Sequence, residues 1–261
     1  MYQTPVLKRA VAAIRRTILT KQGLSCIFGD NGFGKSSLLR LIGSSYEADD
    51  DFTVAMLANK NNDISPFAFL RVIAEEFGLP TQRSRIAQLD VIQEFLDKQS
   101  ADRKTVLLLV DEAQSIPSET MECVRALLNY ETNTAKLCQI LLAGELTFRD
   151  RMMTRKYKAF KSRIVTPVIL ELFTPEETWS MIEFRHAHWD VPNKFTKEAA
   201  FRIHEITSGV PRDAVLLAGI AYHIAEEDGL SSIRPEAIDV AAGDRSWSSQ
   251  RESIEAASVV A

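Results

Sequence analysis

Residues 29–36 read Gly29-Asp30-Asn31-Gly32-Phe33-Gly34-Lys35-Ser36, followed by a second hydroxyl at Ser37. The spacing G-x-x-x-x-G-K-[ST] constrains the chain more than any other stretch, because it cradles phosphates only when it joins a buried strand to the start of a helix. Both flanks are present: residues 24–28 are a short apolar run, and residues 37–42 carry a helical apolar pattern. Glycines let successive backbone N–H groups turn inward, and the helix aims its N-terminus at the anion. In that arrangement Lys35 reaches the β- and γ-phosphates of a nucleoside triphosphate, and the Ser36 hydroxyl ligates Mg²⁺. The expected ligands are ATP and Mg²⁺, with residues 29–37 around the phosphates.

A second element, VLLLVDEAQ from Val106 to Gln114, is an apolar run that ends in two carboxylates. Such a run reads as a central parallel strand covered on both faces, and the C-terminal edge of an open α/β sheet is where ligands bind. Asp111 is placed to hold the magnesium shell and Glu112 to act as general base on the attacking water. Acids after a strand are common, so this motif gains its meaning from the loop.

The rest of the chain has the alternation of a parallel sheet. Residues 53–57 read as a strand; Ser65-Pro66 opens a helix carrying Phe67, Phe69, Leu70, Ile73 and Phe77, and Gly78 and Pro80 end it. An amphipathic helix is expected over about 86–98, and strands over 105–110, 137–143 and 164–172. Strands alternating with helices predict an α/β fold with right-handed crossovers. Past Phe173 strand signals stop. Thr174-Pro175-Glu176-Glu177 is a helix start, with Thr as N-cap and Pro at the first position. The expected organisation is a nucleotide-binding core over 1–173, an all-helical lid over 174–245, and a loose, Ser-rich tail over 246–261.

Composition closes off other classes. With 46% hydrophobic residues the chain can bury a core, and its apolar runs are far short of a membrane span. No secretory signal is legible, so a cytoplasmic location is expected. Cys26, Cys123 and Cys138 are widely spaced and read as buried free thiols. His186 and His188, two apart on a helix, point to different sides and do not make a metal site. The net charge is -4, yet residues 1–23 hold Lys8, Arg9, Arg15, Arg16 and Lys21 with no acid, and residues 149–163 hold seven Lys or Arg against Asp150. Two basic islands in an acidic chain permit a phosphate-bearing partner, although solvated helix faces produce the same pattern.

Four features together resemble AAA+ ATPases, within them the group containing ExeA-type secretion ATPases and the transposition regulators MuB and TnsC. They are the phosphate loop, VDEAQ at 110–114, LLAGEL at 141–146 and SGVPR at 208–212. The likeness spans roughly residues 5–242. It implies a parallel sheet flanked by helices with a small C-terminal helical domain, and assembly into a homo-oligomeric ring or filament. It further implies that an arginine of one subunit completes its neighbour's site; the matching position is Arg163, with Arg149, Arg151 and Arg155 nearby. Arg212 matches the lid arginine that senses the γ-phosphate. The sequence departs where relatives place a polar sensor after the fourth strand: Gly144 or Glu145 stands there, and an ionised Glu cannot donate to phosphate. The N-terminal helix-turn-helix domain of MuB and the transmembrane segment and periplasmic extension of ExeA-type proteins are not seen in this sequence. Two functions follow. One is an ATP-dependent assembly on double-stranded DNA that regulates a transposase, or another partner protein, or selects a DNA target, with Lys60 and the N-terminal arginines Arg9, Arg15 and Arg16 on the DNA phosphates. The other energises a secretion or envelope complex.

Overall fold

Short apolar runs become the centre of the protein because their alternate side chains face opposite layers of helix. In the computed structural model, which describes residues 1–57 and 64–243, the strands are β1 (Leu24–Phe28), β2 (Phe52–Leu57), β3 (Thr105–Val110), β4 (Cys138–Gly144) and β5 (Ile164–Ile169). All pair in parallel, in the order β2-β3-β4-β1-β5. Lys60 and the 246–261 tail lie outside the described residues.

The helices of the first unit are α1 (Pro5–Leu19), α2 (Lys35–Glu47), α3 (Pro66–Glu76), α4 (Arg85–Ala101), α5 (Ser118–Leu127), α6 (Leu146–Met153) and α7 (Lys158–Lys161). Ile27, Leu107, Leu109, Leu141 and Ala143 pack on one face against Leu7, Val11, Ile14 and Ile18 of α1 and Leu38, Leu39 and Ile42 of α2. Cys26, Phe28, Leu108, Val110, Ile140 and Leu142 face the other way, onto α3, α4, α5 and α6. Every position of β1, β3 and β4 is buried, and apart from Ser25, Thr105 and Gln139 these strands are apolar or glycine, each large apolar side chain contributing about 1.5–3 kcal/mol.

Two compact units divide the chain. One comprises Gln3–Leu170 with Met1; the other begins at Glu171 and includes Tyr2. The second is helical, built from α8 (Pro175–Trp189), α9 (Lys197–Thr207), α10 (Pro211–Glu227) and α11 (Pro235–Ala242) around its own core of Met181, Ile182, Ile203, Leu217 and Ile238. The start of α8 is a full capping box: the Glu177 N–H donates to Thr174 Oγ1 at 3.2 Å and the Thr174 N–H donates to Glu177 Oε2 at 3.0 Å. His186 belongs to this packing, with Nδ1 2.8 Å from the Ile182 carbonyl and its ring against Phe195 and Tyr222.

The N-terminal basic island is the outer face of α1. Thr4 caps that helix by accepting from the Leu7 N–H at 3.1 Å, and Pro5 occupies its first turn. Leu7, Val11, Ile14 and Ile18 are buried while Lys8, Arg9, Arg15 and Arg16 are exposed. The expected fifth strand stops at Ile169, three residues before Leu172, because Leu170 already makes the last bond to β1 through its N–H and the Phe28 carbonyl at 2.7 Å.

All three cysteines are free and buried. Burial raises the Cys123 thiol, pushes Cys138 from its usual 9.0 to about 12, and moves Cys26 well above the usual thiol range. The unfolded chain therefore releases these protons near pH 9 while the native state keeps them. Stability is fully present below pH 9 and falls above it, by about 1.4 kcal/mol per pH unit for each of Cys26 and Cys138. Denaturant titrations at pH 8, 9 and 10 check this: Cys26→Ala with Cys138→Ala is expected to flatten the alkaline decline, and an unchanged decline contradicts it.

Candidate functional site

Gly29 leaves β1 with its N–H donating to the Gly144 carbonyl at 3.2 Å, and the Phe33 N–H closes the next turn on the Asp30 carbonyl at 3.3 Å. Gly32 and Gly34 sit at φ of +84° and +92°, conformations that L side chains rarely adopt. Gly34 is the N-cap of α2 and offers no side-chain cap, and the first helical bond runs from the Leu38 N–H to the Gly34 carbonyl at 2.9 Å. The N–H groups of Lys35, Ser36 and Ser37 thus have no acceptor within the helix, and they carry the positive end of its dipole. Lys35 is only 5% exposed, and its Nζ donates to the Asp30 carbonyl at 3.1 Å, so the ammonium lies over the loop itself. Asp30, Asn31 and Ser37 are exposed, and Phe33 and Ser36 are half-buried. An uncapped helix terminus and a buried ammonium suit a polyphosphate.

β3 delivers the carboxylates. Asp111 is fully buried; its N–H donates to the Leu57 carbonyl of β2 at 3.0 Å, and its Oδ1 accepts from the Glu112 N–H at 3.0 Å. Glu112 itself is in the left-handed region, at φ 53° and ψ 40°. That turn carries backbone strain of about 1–3 kcal/mol, which is held in place by its surroundings. Ser115 donates to the Glu112 carbonyl through both its N–H at 2.9 Å and its Oγ at 2.7 Å. Ser36 and Asp111 supply hard oxygen donors of the kind Mg²⁺ takes.

Strand order explains why loop and carboxylates share one place. β4 lies between β1 and β3, with Gly144 level with Phe28 and Leu142 level with Val110. Residues 82 apart in the chain, Gly29 and Asp111, therefore leave strands separated by two inter-strand spacings, roughly 10 Å. Between them stands Glu145, the first residue after β4, whose N–H donates to Gln114 Oε1 at 3.2 Å. The Glu145 carboxylate accepts from Thr147 Oγ1 at 3.5 Å.

Arg163 is placed elsewhere. It precedes β5 at the N-terminal end of the sheet, Ile164 being level with Leu24, a strand length of roughly 16 Å from the end that carries the loop. Its guanidinium donates to the Ala159 carbonyl at 2.6 Å and to Asn129 Oδ1 at 2.9 Å. Arg212 lies in the second unit, exposed in the first turn of α10. Arg151, one of the nearby arginines, is committed within the chain: Nη1 donates to the Gln114 carbonyl and Nη2 to the Ala113 carbonyl, both at 3.1 Å, with the guanidinium against Phe148 and Tyr157. Neither Arg151 nor the Gln114 side chain had a role assigned from sequence; the Gln at the end of VDEAQ was the one available signal.

The AAA domain family profile matches residues 16–152, just over half of the chain. The chain belongs to this family. General secretion pathway protein A of Aeromonas hydrophila is 24% identical to this AAA domain protein over 230 residues, 85% of this chain and 41% of the relative. The chain thus spans about two fifths of the length of that curated relative. Among solved structures, the Aeropyrum pernix ORC2 protein matches 92% of this chain and 68% of its own, at 18% identity and a TM-score of 0.65. Pyrobaculum aerophilum Cdc6p matches 93% of this chain and 68% of its own, at 15% identity and 0.72. The Thermotoga maritima RuvB Holliday junction branch migration motor matches 93% and 69%, at 15% and 0.58. These likenesses speak to the fold, which is that of the AAA+ P-loop ATPases. Among the described residues no helix is long and apolar enough to cross a membrane.

Proposed function

We propose that this AAA domain protein binds ATP with Mg²⁺ at residues 29–37 and hydrolyses it in the cytoplasm. The carrying observation is the meeting, at one sheet edge, of an uncapped helix N-terminus, a buried Lys35 and the Asp111-Glu112 pair. Lys35 acts on the β- and γ-phosphates, Ser36 and Asp111 hold Mg²⁺, and Glu112 takes the proton of the attacking water. Bound Mg²⁺ would neutralise charge on the phosphate oxygens. Arg212 is the proposed γ-phosphate sensor. Arg163, a strand length from its own loop, supplies positive charge to the site of the next subunit, which makes the working form a homo-oligomer, a ring or a filament.

The assembly is proposed to form on double-stranded DNA and to regulate a transposase or another partner, or to select a DNA target. Support comes from the exposed basic face of α1, with Lys8, Arg9, Arg15 and Arg16, and from a fold neighbour named as a branch migration motor. The name of the secretion-pathway relative supports the second reading, an ATPase that energises a secretion or envelope complex. Fluorescence anisotropy of labelled duplex with a non-hydrolysable ATP analogue separates them. Binding is expected to weaken with salt at a log-log slope of about -0.9 per phosphate neutralised, and replacing Arg9, Arg15 and Arg16 by Ala is expected to flatten that slope by about one unit for each phosphate left without its arginine. No binding at micromolar protein and low salt would transfer the assignment to the secretion reading.

A further inference from the structure

Gln114 is a side chain that touches both the Glu112 carboxylate and the end of β4. Its Nε2 donates to Glu112 Oε2 at 2.6 Å, and its Oε1 accepts from the Glu145 N–H at 3.2 Å. The two partners decide how the amide faces. A carboxylate only accepts and a backbone N–H only donates, so turning the amide over would break both bonds. Its backbone is fixed as well: Arg151 holds the carbonyls of Ala113 and Gln114, and the Phe148 and Tyr157 rings, 5.2 and 5.8 Å from the guanidinium carbon, hold Arg151.

We propose that Gln114 is a positioning residue for Glu112, and that through Glu145 it ties the orientation of that carboxylate to the end of β4. The proposal rests on the reading of Glu112 as the general base. Glu112 sits on a left-handed turn and is half-exposed, so its side chain needs an external partner to keep one rotamer. The Gln114 amide provides a short hydrogen bond to a charged group, about twice as strong as a neutral one, and engages one carboxylate oxygen, leaving the second for a water. Glu145, the first residue after β4, stands between the loop and Glu112. A carboxylate there cannot donate to phosphate, but its backbone N–H reports any shift at the end of β4 to Gln114 and so to the base.

Two substitutions divide the functions of the amide. Gln114→Glu keeps the size and an oxygen for the Glu145 N–H but faces Glu112 with an acceptor instead of a donor; Gln114→Ala removes both bonds. With the full chain, we expect both to lower kcat at least tenfold while ATP affinity stays within about twofold, since Gln114 makes no phosphate contact in this assignment. In the nucleotide-free protein, the Gln114 side-chain amide resonances are expected to shift in Glu112→Ala, a readout independent of turnover. Wild-type kcat in Gln114→Glu, or unmoved amide resonances in Glu112→Ala, overturns the positioning role. Glu112→Gln is the control: if it is inactive while Gln114→Glu is fully active, the positioning role alone falls, and if Glu112→Gln turns over like wild type, the reading of the base falls and takes this one with it.

Discussion

Glu112→Gln is expected to bind ATP as tightly as the wild type and to hydrolyse it about 10²- to 10⁴-fold more slowly, the usual loss when a positioned general base is removed. The substitution keeps side-chain size and leaves both the loop and Asp111 untouched, so binding and turnover should separate. Calorimetry with a non-hydrolysable analogue gives the affinity, and phosphate release gives the rate. An equal loss in both would place Glu112 among the binding groups. The same variant tests the trans role of Arg163. Arg163→Ala should also be inactive alone, because every site lacks its neighbour's guanidinium. Mixed in equal amounts, a subunit with Glu112 intact can take Arg163 from a neighbour carrying Glu112→Gln, so some activity should return. Two inactive variants that stay inactive when mixed would argue that Arg163 does not act across the interface.

Lys35→Ala is expected to weaken ATP binding by about 10²- to 10⁴-fold. A hydrogen bond to a charged group contributes about 1.5–3 kcal/mol, and Lys35 is assigned to two phosphoryl groups, with every 1.4 kcal/mol a factor of ten in affinity. The fold should survive. The substitution gives up the hydrogen bond of Nζ with the Asp30 carbonyl, and alanine is well suited to the first turn of α2. Titration calorimetry beside a thermal melt separates the two effects, and an unchanged ATP affinity in a folded variant would remove the loop from the site.

Much of this was legible in the chain because its signals are local. The turn at residues 29–36 needs glycine at Gly32 and Gly34 for positive φ, and the buried strand before it and helix after it are written within a few residues. The run at 106–110 declares a central strand by apolar side chains at every position, and the Thr174 cap by a four-residue pattern. A further local pattern lies beneath the N-terminal charge: Thr4-Pro5 and the spacing of Leu7, Val11, Ile14 and Ile18 describe α1, a helix that the basic residues alone do not reveal.

What the sequence determined by itself was therefore the chemistry on offer: a phosphate loop, an acid pair and an α/β alternation, each encoded by neighbours in the chain. Tertiary structure decided which of those groups meet. The order β2-β3-β4-β1-β5 sets the end of β4 between the loop and the acid pair, brings the Glu145 N–H to Gln114, and sends Arg163 to the far end of the sheet. Inter-strand spacing and strand direction impose those distances, and no periodicity encodes them. The turn after β3 is held left-handed by Ser115, and Arg151 from α6 fastens the next two carbonyls, a contact between residues 37 and 38 apart that arises only when helix and sheet pack.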